Sequence, residues 1–598
     1  MSDIDTKLNN TEEQPATKNV RLKCDTEGES LPHAPAGKPS SATPSPRGST
    51  PKTPECHTDS ILLTQFSQKV EIYNTLSSFF NQKYSNFETA KILNYIDKIL
   101  GFSVEEYISN CNLKTYEETQ SILATLNEKK NIRKTNGVYY TEKDITSYIS
   151  KICFKLHDSE NIEEVNNINL NTLSFHDLKN LSVFDPTCGT GAFLLTALEI
   201  KIQELQKSNF EKSDVEEILE SIYGNDLDEI SVLITKIRLF LSILYNFGID
   251  YVDTLPKILN KNIVCSNIFS IQPKKKFDIV FGNPPYVEIK RENIRTSQNS
   301  YGNLYADVLD YSLSFLNDNG IYGFIIPLSF ISTPRMLKLR EKISSKLKTQ
   351  IILSYADRPG CLFTGVHQKL NILIASTKGK GKIFTNNYQY FYKEQRKQLF
   401  HNLATIENIF SQQSFIPKLG TKNDVSIYQK IITFPNKYDY KNQIGEYKLY
   451  LNMRAAFFIK AFISPHITGE YKEFSFTTQE ERNFFYCLLN SSLFWWFWIC
   501  VSDCWHITSK EFLYFRFPIN FDPNKVYVLS QSLENKLEET KKYIGSKQTE
   551  FEYKHKLCIS EIHKIDDYIN SLYGLTANES NYIKNFALPY RTSKGVAV

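Results

Sequence analysis

The chain has 598 residues, a formal net charge of +4, and apolar and charged fractions of 41% and 23%; that length suits roughly three or four globular domains of about 150 residues each. The mildly basic balance permits a local polyanion-binding face without demanding one. Eleven cysteines without a CxxC pair exclude a disulfide framework, a polar first thirty residues excludes a secretory leader, and the longest strongly apolar run, Leu488 to Val501, is too short for a bilayer at about 14 residues, so a soluble cytoplasmic protein with no membrane partner is expected.

Residues 1–57 read as a disordered leader, with Pro32, Pro35, Pro39, Pro44, Pro46, Pro51 and Pro54 crowded among Ser and Thr. Residues 58–130 read as a helical N-terminal region, because Phe66, Val70, Tyr73 and Leu76, then Ile92, Tyr95, Ile96 and Ile99, recur at helical spacing. Next comes Gly137-Val138-Tyr139-Tyr140-Thr141-Glu142-Lys143, a Gly-aromatic turn leading into a helix, which alone carries little.

Phe184-Asp185-Pro186-Thr187-Cys188-Gly189-Thr190-Gly191 closes a short apolar strand on an acid, turns through two glycines and enters an apolar helix. Such glycines let the backbone approach a ligand closely, and the acid can meet an amine or water. The spacing is neither the dinucleotide GxGxxG nor a P-loop. A second strand ends at Asn225-Asp226-Leu227-Asp228, where Asp226, directly at the strand end, suits two ribose hydroxyls better than Asp228. A third, Ile263 to Cys265, runs into Ser266-Asn267, which reads equally as an adenine contact and as a plain turn.

The chain is organised around Phe277-Asp-Ile-Val-Phe-Gly282-Asn283-Pro284-Pro285-Tyr286. Two consecutive prolines cannot donate to a sheet ladder, so the strand stops there with its last groups outward. The Asn283 side-chain carbonyl and the Pro284 backbone carbonyl can accept both hydrogens of one exocyclic amine, and Tyr286 offers a face for stacking. A strand before a Pro-Pro turn with an incidental Asn is the structural alternative. Strand and helix then alternate to about 378, through Leu304 to Leu316, Gly320 to Pro327, Arg335 to Lys348, Ile351 to Tyr355 and Leu370 to Ala375. This predicts an α/β, mostly parallel Rossmann-like sheet over 131–378, with one of the last two strands antiparallel. Residues 379–598 lose that rhythm and read as a C-terminal α+β domain. Its four tryptophans, all within Trp495 to Trp505, suit a domain core. Cys500, Cys504 and His506 lack a fourth ligand for zinc, so no metal is expected. From about Lys525 to Tyr573 the pattern is helical with mixed charge, so the domain is expected to end in long helices.

In this order the motifs resemble the gamma-class, TaqI- and Eco57I-like N6-adenine DNA methyltransferases, with specific motifs over about 130–378 and looser likeness through Leu-Asn-Ser-Ser-Leu-Phe-Trp and Leu-Tyr-Gly-Leu-Thr near the C-terminus. The resemblance implies an S-adenosyl-L-methionine-dependent enzyme acting on a base flipped from double-stranded DNA, with 379–598 as target-recognition domain and a separate restriction endonuclease as partner. It implies that Tyr140, Thr141, Asp185, Cys188, Gly189 and Gly191 hold the methionine part of the cofactor, Asp226 its ribose and Asn267 its adenine. Asn283 and Pro284 would bind the target amine, Tyr286 and Phe363 would sandwich the base, and Tyr305 would line the pocket. The chain departs from the family at Glu142, where proline is preferred, and at Asn267, where many members carry aspartate. Competing readings are a protein-glutamine or RNA amino-methyltransferase, an N4-cytosine enzyme, a fused nuclease around Asp439, Glu446 and Lys448, and a non-catalytic DNA-binding subunit. The intact Asn283 to Tyr286 motif favours the adenine enzyme over the last.

Overall fold

The computed structural model describes residues 58–101, 115–126, 141–159, 178–289, 301–411, 414–439, 444–465, 470–545 and 551–592, with Leu170 and Phe175. The leader 1–57 and Tyr140 lie outside the described residues. Apolar runs bounded by Gly, Asn and Pro supply nine strands of one sheet. They are β1 (Val183–Asp185), β2 (Ile222–Asp226), β3 (Ile263–Cys265), β4 (Phe277–Gly282), β5 (Leu316–Pro327), β6 (Thr349–Tyr355), β7 (Leu370–Ser376), β8 (Lys382–Thr385) and β9 (Ile406–Glu407). Their spatial order is β3-β2-β1-β4-β5-β7-β6-β8-β9.

From β3 across to β5 all neighbours are parallel, while β7 is antiparallel to both β5 and β6. The mostly parallel α/β sheet expected from the alternation is therefore present, and β7 is the reversed strand of the last pair. Chain order steps outward from β1 to β3 on one side and from β4 to β5 on the other, so β1 and β4 flank a switch point. Ligands of open α/β sheets bind at the carboxyl ends of strands there. The sheet also runs past Lys378, since β8 pairs parallel to β6 and β9 antiparallel to β8.

Side chains of β4 divide between two cores, alternating over Ile279 to Phe281 with a register irregularity after Phe277. Ile279 and Phe281 of β4 face one, with the N-terminal helices Asn86–Leu100 and Tyr116–Thr125 and the helices Lys143–Asp158, Ala192–Leu205 and Glu229–Phe247. Phe277 and Val280 face the other, with helices Leu304–Ser312 and Leu337–Lys346 and the C-terminal half. Glu229–Phe247 is long and apolar enough by composition to cross a bilayer, yet 78% of its apolar window is buried inside the protein. It is a core helix that also covers the sheet.

The C-terminal half contains a three-stranded antiparallel sheet with Tyr447–Asn452 in the middle. Helices Gln479–Asn490 and Ser492–Val501 bend by 61° at a break. Ser491 makes that break, its hydroxyl accepting the Phe494 N–H at 3.1 Å to cap the second helix. Trp495, Trp496 and Trp498 are fully buried, as a core role requires. The long helices expected over Lys525 to Tyr573 are Pro523–Thr540 and Ile559–Leu572. Between them Lys542–Tyr543 pairs with Phe551–Glu552, and Gly545 takes a left-handed φ of 56° just after the first of these strands.

Cationic side chains tie the two halves together. The buried Arg340 guanidinium donates to the carbonyls of Phe330 at 2.6 Å, Thr333 at 3.2 Å and Ser414. Lys418 Nζ donates to the Ser502 carbonyl at 2.7 Å and Lys510 Nζ to that of Ser332 at 2.8 Å. Replacing Arg340 by alanine removes the donor to the buried Phe330 carbonyl and to two part-buried ones, and is expected to lower unfolding free energy by about 2–4 kcal/mol. Urea denaturation of wild type and variant checks this.

Candidate active site

The end of β4 is set by what lies beside it. A Cβ built on Gly282 would stand 2.6 Å from Oδ1 of Asp185, the last residue of the neighbouring β1. The backbone of the acceptor motif thus passes directly over a carboxylate, an approach that only glycine allows. Asn283 follows, half-buried, and its Nδ2 donates to the buried Thr141 hydroxyl at 3.0 Å. That bond sets the amide's orientation. Pro284 is buried behind it. Beyond Tyr286 the chain is tied back by Leu304 N–H donating to the Val287 carbonyl at 2.8 Å, and Asn303 caps the helix Leu304–Ser312 through Tyr305 N–H at 3.4 Å.

Asp185 is buried, and burial pushes its carboxyl well above the usual range, with the charge of Asp226 adding to the shift. Its Oδ1 accepts the Thr187 N–H at 3.0 Å. The glycine loop is stapled to β2: Gly189 N–H donates to Asp226 Oδ2 at 2.8 Å and Cys188 N–H to the Asn225 carbonyl at 2.8 Å. Gly191 has φ 80°, and a Cβ there would stand 2.8 Å from Thr235 Cγ2, so the turn is closed to other residues. Burial also raises the Asp226 carboxyl. Asp228 caps the helix Glu229–Phe247 by accepting the Ser231 N–H at 2.8 Å, which leaves Asp226 as the acid at the strand tip.

The surroundings of three expected positions are distinctive. Cys188 is drawn into the core against Gly224, and its N–H and carbonyl serve Asn225 and Gly191, so it shapes the loop. Asn267 is exposed, and its Oδ1 accepts the Phe269 N–H at 3.1 Å to cap a short turn. Tyr305 is fully buried, meets Tyr286 edge-on at 6.3 Å and 88°, and bonds Ser329 Oγ at 2.8 Å. It supports Tyr286 rather than presenting a stacking face.

Tyr286 is fixed by its hydroxyl donating to the Ile325 carbonyl at 2.9 Å. The Phe363 ring, carried by the loop between β6 and β7, lies 6.5 Å away at 31°. Phe363 is buried in this form and the rings are tilted, so seating a flat ring between them, which needs about 7 Å or twice a contact distance of roughly 3.5 Å, requires the Phe363 ring to move and reorient.

Several supporting residues have no signature in local spacing. Thr235 Oγ1 donates to the Gly189 carbonyl at 2.8 Å. Arg238 donates to the Thr190 carbonyl and to Gln120 Oε1 at 3.0 Å, and Thr190 Oγ1 donates to the Ala124 carbonyl at 3.2 Å. The N-terminal helix Tyr116–Thr125 therefore holds the glycine loop from behind. In the proposed nuclease triplet, Lys448 is ion-paired to Glu473 at 3.0 Å.

Residues 220–359 match the family model described as the Eco57I restriction-modification methylase. A putative type II restriction enzyme and methyltransferase of Methanocaldococcus jannaschii is 28% identical over 188 residues, covering 25% of this chain and 16% of that protein. The modification methylase CviBIII of Paramecium bursaria Chlorella virus NC1A is 27% identical over 224 residues, covering 36% of this chain and 48% of that one. The match thus spans less than half the length of either relative. Among solved structures, the type IIL restriction-modification enzyme MmeI in complex with DNA aligns with 89% of this chain and 95% of its own at 14% identity and a TM-score of 0.48. The match over residues 220–359 and the similarity to these methyltransferases bear out the resemblance to the gamma-class, Eco57I-like modification methylases.

Proposed function

We propose that the chain is a site-specific DNA methyltransferase that moves a methyl group from S-adenosylmethionine to the N6 amine of an adenine flipped out of duplex DNA. It would serve as the cytoplasmic modification component of a restriction-modification or related defence system, with a separate endonuclease as partner. The observation that carries this reading is the position of Asn283. Its amide nitrogen is committed to Thr141, it follows the strand end beside Asp185, and it lies in the motif whose Tyr286 faces Phe363 across 6.5 Å. An amide held nitrogen-first by Thr141 directs its oxygen elsewhere, ready to accept from an exocyclic amine. Accepting both amine hydrogens, with the Pro284 carbonyl as second acceptor, draws the nitrogen out of ring conjugation and makes its lone pair available. Stacking of the extruded base on Tyr286 and Phe363 returns roughly 1–3 kcal/mol per contact against an extrusion cost of a few kcal/mol.

The strand-tip residues fit the cofactor. A buried carboxylate that resists ionisation, as Asp185 does, is stabilised by a cation arriving beside it. The left-handed glycines of the adjoining loop leave the backbone open to close approach, and Asp226 stands at the next strand tip. S-adenosylmethionine bound there supplies an electrophilic methyl group. The chain's own part is to hold the amine, exclude water and fix the line of approach.

Support for DNA as the substrate comes from a cleft of about 460 Å³ near the Arg358 end of the sheet domain. Its lining carries Arg358, Lys369, Arg454, Lys460, Lys554 and Lys556 against the acids Asp357 and Glu552, with the partly exposed Trp505 among them. A cleft whose cations outnumber its acids concentrates a polyanion more than the chain's net charge suggests.

Labelled methyl transfer to duplex DNA, followed by nucleoside analysis, tests the reaction. Wild type should yield N6-methyladenine, and Asn283→Ala should lower the rate by roughly two to three orders of magnitude, as for loss of one preorganised polar contact. Label on protein or RNA instead would overturn the substrate, and label on cytosine the target base.

Cofactor affinity should depend on pH. Because burial raises the Asp185 carboxyl in the free protein and a cation favours the ionised form, affinity should rise as pH climbs through that raised value and then level off. Calorimetric titration should show net proton release below the plateau, and Asp185→Asn should flatten the profile.

Arg454→Ala should weaken binding of unrelated duplexes to a similar extent and reduce the slope of log affinity against log salt by about 1. Fluorescence anisotropy over a salt series reads that slope.

A further inference from the structure

The Thr141-Glu142 pair departs from its family at Glu142, and that residue occupies an unusual position. It stands at the N-cap of the helix Lys143–Asp158 without capping it. Its carboxylate turns outward to the loop that carries Phe363. Oε1 accepts the Thr364 N–H at 2.9 Å and also the Thr364 hydroxyl, while Oε2 pairs with Arg396 at 3.0 Å. Arg396 lies on a short helical segment, Lys393–Gln398, and reaches the same loop from its other side. It donates to the carbonyls of Cys361 at 3.0 Å and Leu362 at 2.8 Å. It also forks onto Asp144, at 2.6 Å through Nε and 2.9 Å through Nη2.

The loop is thus bonded immediately before and after Phe363, whose own carbonyl accepts from Val366 N–H at 3.0 Å and from the Cys361 thiol at 3.1 Å. The preceding residue, Thr141, holds the Asn283 amide. One dipeptide therefore grips both walls of the base pocket. Its hydroxyl fixes the acceptor and its carboxylate fixes the aromatic ring.

We infer that Glu142, braced by Arg396 and Asp144, is a positioning residue that sets the Phe363 ring at its stacking distance from Tyr286 and in register with the Asn283 amide. This deepens the methyltransferase reading of the preceding section and rests on it. A proline at 142 could shape the turn but could not accept from Thr364. In this chain the ring's placement depends on charge pairing and a charge-assisted hydrogen bond, which is stronger than a neutral one. The role is geometric: Glu142 touches no reacting atom, and its effect should travel only through Phe363.

The test combines exchange and kinetics on the full chain. Hydrogen exchange over 361–366 should accelerate in Glu142→Ala, because the Thr364 N–H loses its acceptor, while the melting temperature stays close to wild type. Glu142→Gln retains an acceptor of the same size but loses the ion pair, so its exchange should fall between the two. Single-turnover methyl transfer to bacteriophage DNA lacking adenine methylation should fall roughly tenfold to a hundredfold in Glu142→Ala, with S-adenosylmethionine affinity unchanged. The deciding comparison is the double mutant. Glu142→Ala combined with Phe363→Ala should be no slower than Phe363→Ala alone. Rates that multiply, or exchange over 361–366 that does not change, would overturn the inference. Should wild type transfer no methyl group to DNA, the methyltransferase reading fails on its own, and the exchange experiment still decides whether Glu142 holds the loop.

Discussion

A carboxylate placed at the end of a buried strand is costly to ionise, and Asp185 is that carboxylate. Its neighbours are arranged around the cost. Gly282 lets the next strand close over it without a side chain, Thr187 gives it one N–H, and Asp226 keeps a second negative charge nearby. Nothing among the described neighbours supplies a compensating cation directly. The strand order then explains why the site lies here: β1 and β4 are adjacent but belong to opposite directions of winding. Their following segments must diverge, and the gap between them falls above Asp185.

The sheet and its strand-tip acids were legible in the sequence because each depends on adjacent residues. An apolar run closed by Asp, Asn-Pro-Pro or Asn-Asp declares both the strand and its end. Adjacency picks out Asp226 as the last residue of β2, but it cannot show that Asp228 is taken by a helix terminus. Three of the four clustered tryptophans are core, whereas Trp505 is exposed. Side-chain surroundings that depend on partners distant in sequence are not encoded by spacing. Cys188 packs on Gly224, and Tyr305 is buried beside Tyr286. Helical periodicity over Lys525 to Tyr573 does not mark the two-residue strand pair that separates its helices. The contacts from Glu142 to Thr364 and from Arg396 to Asp144 span more than two hundred residues, and no local pattern encodes them.

Division of the chain by rhythm alone also understates how the two halves cooperate. Alternate residues of the same strands face different cores, one shared with the N-terminal helices and the other with the C-terminal half. Buried cations bonded to carbonyls, such as Arg340 and Lys418, stitch the second of these. Such bonds fix relative placement as well as contributing stability, since a carbonyl cannot accept from a donor that has moved by an ångström. On the proposed function, a region that reads DNA and a pocket that receives a base would benefit from that rigidity, because the position of one would set the reach of the other.

The placement of β7 bears on how the chain is made. It lies between β5 and β6 although it follows both in sequence. Until Ser376 has been synthesised, β5 therefore presents an unpaired edge carrying Ile321, Phe324, Ile325 and Ile326. Open aliphatic edges recruit other strands, and contacts formed late between distant segments slow folding. On the ribosome, the half-sheet β3-β2-β1-β4 can assemble early, whereas β5 and β6 must wait for the strand that joins them. The nascent chain is consequently most prone to aggregate in the interval between completion of β5 and emergence of β7, the stage at which a holding chaperone would protect it most.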